Sequence, residues 1–382
     1  MKWRNQTVFV TGATGFIGGR ICERLVLAKA GRVQALVHSP HKAARIARLP
    51  IELLSGSLLH RESLRSALGE AKIVIHCGLG NARGIVRGTE NLLTVAAEAG
   101  VERFVHMSTA AVHGLTPPPG CETEDAPVRA TGDNYCDNKR RAERIVARFN
   151  RQGMSTVILR PSIVYGPYSA WSTRLVHSLR QNTVALIDGG RGACNTTYVD
   201  NLIDAIFLSL DNDASSGETF FITDGEAISW GDFIRAHVAM LGTPEPLPQV
   251  SSAQVLACYK QRPGLLTGSI KATMQVLRSR QFRELLLQIP LSQRLLSGAW
   301  GWLESLSEDR RELVRSHLGV RRLEEVAPAS GPIPDPVDFA TQTGTVFFRI
   351  DKARQVLGYE PRVLFRRGIA LVEQWMRHAN YI

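Results

Sequence analysis

The chain has 382 residues, of which 44% are hydrophobic and 21% charged, a globular balance with room for two or three structural units. Its six cysteines are scattered without a CxxC pair, which argues against a disulfide framework or a zinc site and predicts a reducing, cytoplasmic setting with no metal. The net charge of +11 rests on arginine, but no basic run is interleaved with aromatics and no zinc-finger or helix-turn-helix spacing occurs, so no nucleic-acid partner is expected.

No stretch of about 18 apolar residues is present, and a strand pattern begins near residue 7, so neither a membrane-spanning helix nor a signal peptide is expected. The first apolar run leads directly into Thr11-Gly12-Ala13-Thr14-Gly15-Phe16-Ile17-Gly18 and then into a helical pattern. Strand, tight loop and helix in that order predict a dinucleotide-binding turn. Gly12 permits the turn, Gly15 lets backbone amides approach a pyrophosphate, and Gly18 lets the helix pack on the sheet. The helix start adds unpaired N–H groups and the positive end of its dipole. Thr14, Phe16 and Ile17 complete the turn and join the expected cofactor contacts.

Strands are predicted at 7–10, 33–37, 51–54, 73–77, 104–107 and 156–159, and helices at 16–30, 42–49, 61–68, 86–99 and 138–152. Alternation of this type implies an α/β fold, a doubly wound parallel sheet covered by helices on both faces. Ligands of such sheets lie outside the carboxyl ends of the strands. The second strand ends at His38, 20 residues past Gly18, where an acid would clasp the adenosine ribose of NAD. No carboxylate occurs between Gly31 and Pro50; instead His38, His41, Lys42 and Arg45 cluster there, which favours the 2′-phosphate of NADP(H) over NAD(H). Ser57 and Leu58 after the third strand, and Cys77 and Gly78 after the fourth, are expected along the cofactor.

The fifth strand delivers Ser108 and Thr109, hydroxyls suited to a substrate carbonyl or alcohol. Tyr135 and Lys139 then fall four apart on one helix face. Of the seven tyrosines only Tyr135 has lysine at that offset. A phenol with a pKa near 10 is too weak a base at neutral pH, and an adjacent ammonium is expected to lower it. Tyr135 then exchanges a proton with the reacting oxygen while hydride is transferred, Thr109 holds that oxygen, and Lys139 also reaches the nicotinamide ribose.

With TGATGFIG, STAAVHG, YCDNK, RPSIVYGP and TTYVDNLIDAI in this order, the chain resembles the extended short-chain dehydrogenases/reductases, the group of NAD-dependent epimerases and dehydratases. Its segments at 195–201 and 220–226 are similar to the 3β-hydroxysteroid dehydrogenase branch. The resemblance covers roughly 5–243 and 346–378. It implies a Rossmann-type sheet with a smaller C-terminal substrate domain, and a catalytic trio of Thr109, Tyr135 and Lys139. It also implies a backbone segment, Pro161, Ser162 and Ile163, against the nicotinamide, and homodimerisation through the helices near 86–99 and 138–152. Ile85 stands where the family has a helix-starting asparagine, His113 where it has the tyrosine of VYG, and Ser57 where aspartate is common.

The expected division is a dinucleotide-binding core at 1–165, to which 196–225 return, and a substrate region at 166–195 and 226–382. The latter includes a basic helical insertion at about 249–325. Residues 260–322 hold 12 Lys/Arg and five Asp/Glu, a net of 12 − 5 = +7. Helices are expected there up to Pro290, around Trp300, and from Ser307 to Gly319. A lid or dimer partner is the first reading and peripheral contact with an anionic membrane the second, either admitting a bulky or lipid-like substrate. A proline-rich extended connector at 327–338 leads back to the family pattern.

The expected function is NAD(P)-dependent oxidoreduction between a secondary alcohol and a ketone, the substrate being a sugar nucleotide or a sterol- or lipid-like molecule. Two alternatives are an epimerase that oxidises only transiently and a dinucleotide sensor without turnover. Dehydration is disfavoured because Ala110 and Ala111 offer no acidic pair beside the active-site hydroxyl.

Overall fold

The computed structural model describes residues 2–242, 246–261 and 331–382. Two units divide the chain: Met1–Leu247 with Asp335–Ile382, and Pro248–Pro334. In the first unit β1 (Val8–Thr11), α1 (Phe16–Leu27), β2 (Val33–Val37), β3 (Glu52–Ser55), α2 (Arg61–Leu68), β4 (Ile73–His76), α3 (Ala82–Glu98) and β5 (Arg103–Met107) alternate as the periodicity requires. They are followed by α4 (Asn134–Arg151), β6 (Ser155–Pro161), β7 (Ile163–Tyr165), α5 (Ala170–Arg180), β8 (Leu186–Ile187), β9 (Thr196–Tyr198), α6 (Val199–Asp211), β10 (Thr219–Ile222) and α7 (Trp230–Leu241). In the second unit α8 (Ser252–Gln261) is described, and the Tyr259 hydroxyl donates to the Pro334 carbonyl at 2.7 Å. The helices expected within 260–322, and with them the lid and membrane readings, lie outside the described residues. No described helix is long and apolar enough to cross a membrane.

Seven strands form one parallel sheet in the order β10-β6-β5-β4-β1-β2-β3. The order reverses beside β1, so the carboxyl ends of β1 and β4 diverge and leave the crevice in which such sheets bind ligands. Central strands are buried on both faces: Val8, Phe9 and Val10 of β1 and Phe104 and Val105 of β5 are wholly inaccessible, which is why they read as continuous apolar runs. One cluster, including Val8, Val10, Ile75, Val105 and Leu202, lies on one face of the sheet, and a second, including Phe9, Val74, Leu92, Phe104 and Val146, on the other. A small parallel pair, β7 with β9, stands apart.

Three boundaries differ from the sequence expectation, each for a local reason. The helix expected at 42–49 is only a 3₁₀ turn, Pro40–Ala43, followed by irregular turns. The α3 helix starts four residues before 86 because the Asn81 side chain accepts from Gly84 N at 3.1 Å. The helix-starting asparagine missing at Ile85 is thus supplied one turn earlier. The α4 helix likewise starts at Asn134, capped by Asp133 on Cys136 N at 2.8 Å, which places Tyr135 in its first turn.

The connector expected to be extended through 338 instead opens a helix, α9 (Pro336–Thr343), capped by Asp335 with proline at its first position. The segment after it is tied down by polar bonds. The Asn195 amide donates to Val346 O at 2.9 Å and its carbonyl accepts from Phe348 N at 2.8 Å. Asn201 in turn accepts from both Arg362 N and Val363 N at 3.0 Å. A last helix, α10 (Phe365–His378), closes the unit.

Candidate active site

The glycine turn is built for close approach. Gly12 has φ +69°, and a Cβ there would lie 2.5 Å from the Cys77 carbonyl oxygen; at Gly18 a Cβ would lie 2.2 Å from the Gly12 carbonyl oxygen. Gly15 is the N-cap of α1 and supplies no side-chain acceptor to the helix's first N–H groups. Those donors face the sheet crevice uncapped, as a pyrophosphate would need.

A buried histidine fixes the neighbouring loop. The Thr89 hydroxyl spends its proton on Ile85 O at 2.6 Å, so His76 Nε2–H donates to Thr89 at 2.9 Å, leaving Nδ1 to accept from the Thr11 hydroxyl at 2.6 Å. Thr11 itself accepts from Gly78 N at 3.2 Å. Burial pushes His76 down to about 3, so the ring stays neutral. Sequence reasoning missed this link, because a lone histidine in an apolar strand carries no positional signal.

Leu58 packs against Gly78 and Gly88, so the expected Ser57–Leu58 and Cys77–Gly78 contacts do lie side by side. The Ser57 hydroxyl accepts from Leu59 N at 3.3 Å and serves its own turn. At the end of β2, His38, His41 and Lys42 are exposed. Arg45 is committed elsewhere: it pairs with Glu23 at 3.0 Å and stacks 4.1 Å over the Tyr168 ring. Pro161, Ser162 and Ile163 form the handover from β6 to β7, with Ser162 N donating to Thr197 Oγ1 at 3.4 Å and Ile163 N to Asn195 O at 3.0 Å.

Thr109 caps a 3₁₀ turn (Ala110–His113) at the carboxyl end of β5, its Oγ1 accepting from Ala111 N at 3.2 Å. Tyr135 is 40% exposed, yet desolvation acts on its hydroxyl and Thr109 is the side chain that favours its charged form. Lys139 is buried and donates to the Met107 carbonyl at 2.7 Å. The expected lowering of the phenol's pKa is not met in this geometry. Burial raises it, Thr109 pulls the other way, and Lys139 makes no appreciable contribution. Lys139 is itself pushed down to about 8 by burial.

Behind this trio lies a polar cluster that sequence spacing could not reveal. Arg160 holds Glu143 in a fork, Nε to Oε1 at 2.9 Å and Nη2 to Oε2 at 2.7 Å, and Ser108 donates to Glu143 at 2.5 Å. Arg160 Nη1 also reaches His113 Nε2 at 3.3 Å. A cavity of about 720 Å³ opens between the segment following Thr109 and the segment preceding Tyr135. Leu115, Pro118, Pro119, Pro127, Ala130 and Ala340 make its lining largely apolar. Ala340 is held there by the Thr116 hydroxyl, which donates to its carbonyl at 2.6 Å.

Residues 8–223 match the family model for NAD-dependent epimerases and dehydratases. The chain belongs to that family. Members are similar to it along most of their length. A 4-hydroxy-2-methyl-3-oxo-4-farnesyl-3,4-dihydroquinoline-1-oxide ketoreductase of Stigmatella aurantiaca is 31% identical over 237 residues, 59% of this chain and 70% of the relative. A 2-alkyl-3-oxoalkanoate reductase of Stenotrophomonas maltophilia is 28% identical over 62% of this chain and 76% of its own. A 3β-hydroxysteroid dehydrogenase/isomerase of Mycobacterium tuberculosis is 29% identical over 65% and 73%. Among solved structures, UDP-glucuronic acid 4-epimerase from Bacillus cereus in complex with NAD shares the fold, with TM-score 0.65 at 18% identity over 98% of this chain and 99% of that one. The chain is thus an extended short-chain dehydrogenase/reductase of the epimerase/dehydratase family, an NAD(P)-dependent oxidoreductase or epimerase acting on a small molecule.

Proposed function

We propose that this enzyme interconverts a ketone and a secondary alcohol on a largely apolar substrate, using NADP(H) in preference to NAD(H). The cavity lined by the segments that follow Thr109 and precede Tyr135 in the chain supports the reading, since Leu115, Pro118, Pro119, Pro127, Ala130 and Ala340 give it more apolar than polar surface. The names of the ketoreductase and 3-oxoalkanoate reductase relatives agree with it.

Gly12, Thr14, Gly15, Phe16, Ile17 and Gly18 would hold the pyrophosphate, with the uncapped start of α1 as the fitting feature. His38 and Lys42 would face the 2′-phosphate, Ser57, Leu58, Cys77 and Gly78 the adenosine side, and Pro161, Ser162 and Ile163 the nicotinamide. When bound, the cofactor supplies or accepts the hydride. Thr109 donates a hydrogen bond to the substrate oxygen, and Tyr135 gives it the proton in reduction or removes it in oxidation. Lys139, held on Met107 O, positions the ribose. In this reading 1–165 with 196–225 serve the dinucleotide, and 166–195 with 226–382 the substrate.

The test is to incubate the purified protein with NADPH or NADH and a series of long-chain 3-oxo compounds, following nicotinamide absorbance. Turnover that is faster at low NADPH than at equal NADH is expected. A protein that purifies with tightly held NAD, ignores ketones and converts a sugar nucleotide without net redox change would overturn the reading in favour of epimerisation.

A further inference from the structure

Residues from a single turn of α3 reach the ends of three strands. Gly88 takes Leu58 against its backbone, where a Cβ would lie 2.9 Å from Leu58 Cβ. Thr89 accepts from His76, which through Thr11 holds Gly78 N. Asn91, 5% exposed, donates from Nδ2 to the Leu58 carbonyl at 3.0 Å and accepts at Oδ1 from Arg61 Nε at 2.9 Å. A carbonyl only accepts and a guanidinium only donates, so the Asn91 amide has one allowed orientation. Arg61, itself exposed, sets that orientation from the start of α2.

The peptide units on either side of Leu58 are held almost completely. Ser57 O accepts from His60 N at 3.0 Å, Leu58 O accepts from Asn91, and Leu59 N donates to the Ser57 hydroxyl at 3.3 Å. The Leu58 N–H is the group of this set left without a partner among the described residues. It lies just past the end of β3, where the Leu58 side chain packs against Gly78 at the end of β4. Its direction follows from the two flanking peptides, one fixed by neighbouring backbone and the other by Asn91. We infer that Asn91 is a positioning residue for the dinucleotide: it holds the Leu58 peptide so that the Leu58 N–H meets an acceptor nitrogen of the adenine. Arg61 keeps the Asn91 amide turned the right way and so acts on the cofactor without touching it. The inference rests on the assignment of Ser57 and Leu58 to the adenosine side and is independent of which ketone is reduced.

The test uses the full chain and probes that need no turnover. NADPH, 2′,5′-ADP and 5′-ADP are titrated calorimetrically into the wild type, Asn91→Asp, Arg61→Glu and Arg61→Lys, at about 0.5 M salt so that long-range charge differences are screened. Asn91→Asp keeps the shape and the Arg61 partner but offers Leu58 O no donor. Arg61→Glu, at an exposed position that spares the core, draws the NH₂ group of Asn91 outward and turns its oxygen onto Leu58 O. Both should weaken NADPH and 2′,5′-ADP by a common factor of about 5 to 20, while Arg61→Lys, which still donates, stays within about twofold of the wild type. Deuterium exchange of the free proteins supplies a readout that general loosening would not give: faster exchange confined to residues 56–60, with 12–18 unchanged. Unchanged affinity in Asn91→Asp and Arg61→Glu, or faster exchange spread through α3 and the glycine turn, overturns the inference. A wild type that binds 5′-ADP more tightly than 2′,5′-ADP refutes the NADP(H) preference alone, and an equal loss of 5′-ADP affinity in both variants then upholds the role of Asn91.

Discussion

Replacing Glu143 with glutamine tests how far the active site depends on its buried support. Glu143 and Arg160 have side-chain exposures of 8% and 6% and meet at 2.7 Å. The glutamate accepts from Arg160 twice and from Ser108 once, and glutamine keeps an acceptor on only one side of its amide. The guanidinium then stays buried without its counter-charge, a situation that costs about 3–5 kcal/mol when a buried pair is broken. Glu143→Gln should therefore lower the unfolding free energy by about 3 kcal/mol, read from urea transitions followed by tryptophan fluorescence. Ser108, freed beside Thr109, should cost activity as well, mainly in kcat. The double variant Glu143→Leu/Arg160→Met should lose less than the sum of the two single changes, because it removes both charges together. A loss below about 1 kcal/mol in Glu143→Gln, or strict additivity in the double variant, would refute the assignment of the pair as one buried unit.

Tyr135→Phe should reduce turnover by about 10³-fold or more while leaving NADPH affinity within a few-fold, measured by fluorescence titration; full activity would dismiss Tyr135 as the proton-transfer group. Gly18→Ala should abolish cofactor binding or unfold the turn, since its Cβ would lie 2.2 Å from the Gly12 carbonyl oxygen; normal NADPH titration of this variant would contradict the packing described. Asp224 makes a pH prediction. Burial raises its carboxyl to about 6 despite bonds from Tyr198 N and Asn201. A group raised in the folded state stabilises below its unfolded pKa of about 4 and loses that contribution as pH rises through about 6. Asp224→Asn should accordingly gain on the wild type between pH 4 and 7, by about 2–3 kcal/mol at the upper end, in unfolding curves taken across that range.

The fold was legible because its signals are local and repeated. Buried parallel strands read as short apolar runs, amphipathic helices intervene, and glycine at 12, 15 and 18 marks a turn that a Cβ at 12 or 18 would block. The trio was legible for a different reason: Tyr135 and Lys139 share a helix face, and Thr109 follows a strand. What escaped notice is set by long-range partners. Whether Arg45 is free for a cofactor phosphate depends on Glu23 and Tyr168, and the pKa direction of Tyr135 depends on desolvation that no spacing encodes. Helix starts were misplaced where the cap, Asn81 or Asp133, lies upstream of the apolar periodicity.

Asn201 shows how the order of synthesis bears on this architecture. It sits in α6, yet its side-chain carbonyl is satisfied only by amides 161 and 162 residues later, and its NH₂ group by Asp224 and Val363. A nascent chain can assemble the seven-strand sheet once β10 has emerged, but this amide then waits for residues 362–363, with the long 248–334 stretch made in between. A chain ending inside 248–334 would lack the Arg362 and Val363 partners of Asn201.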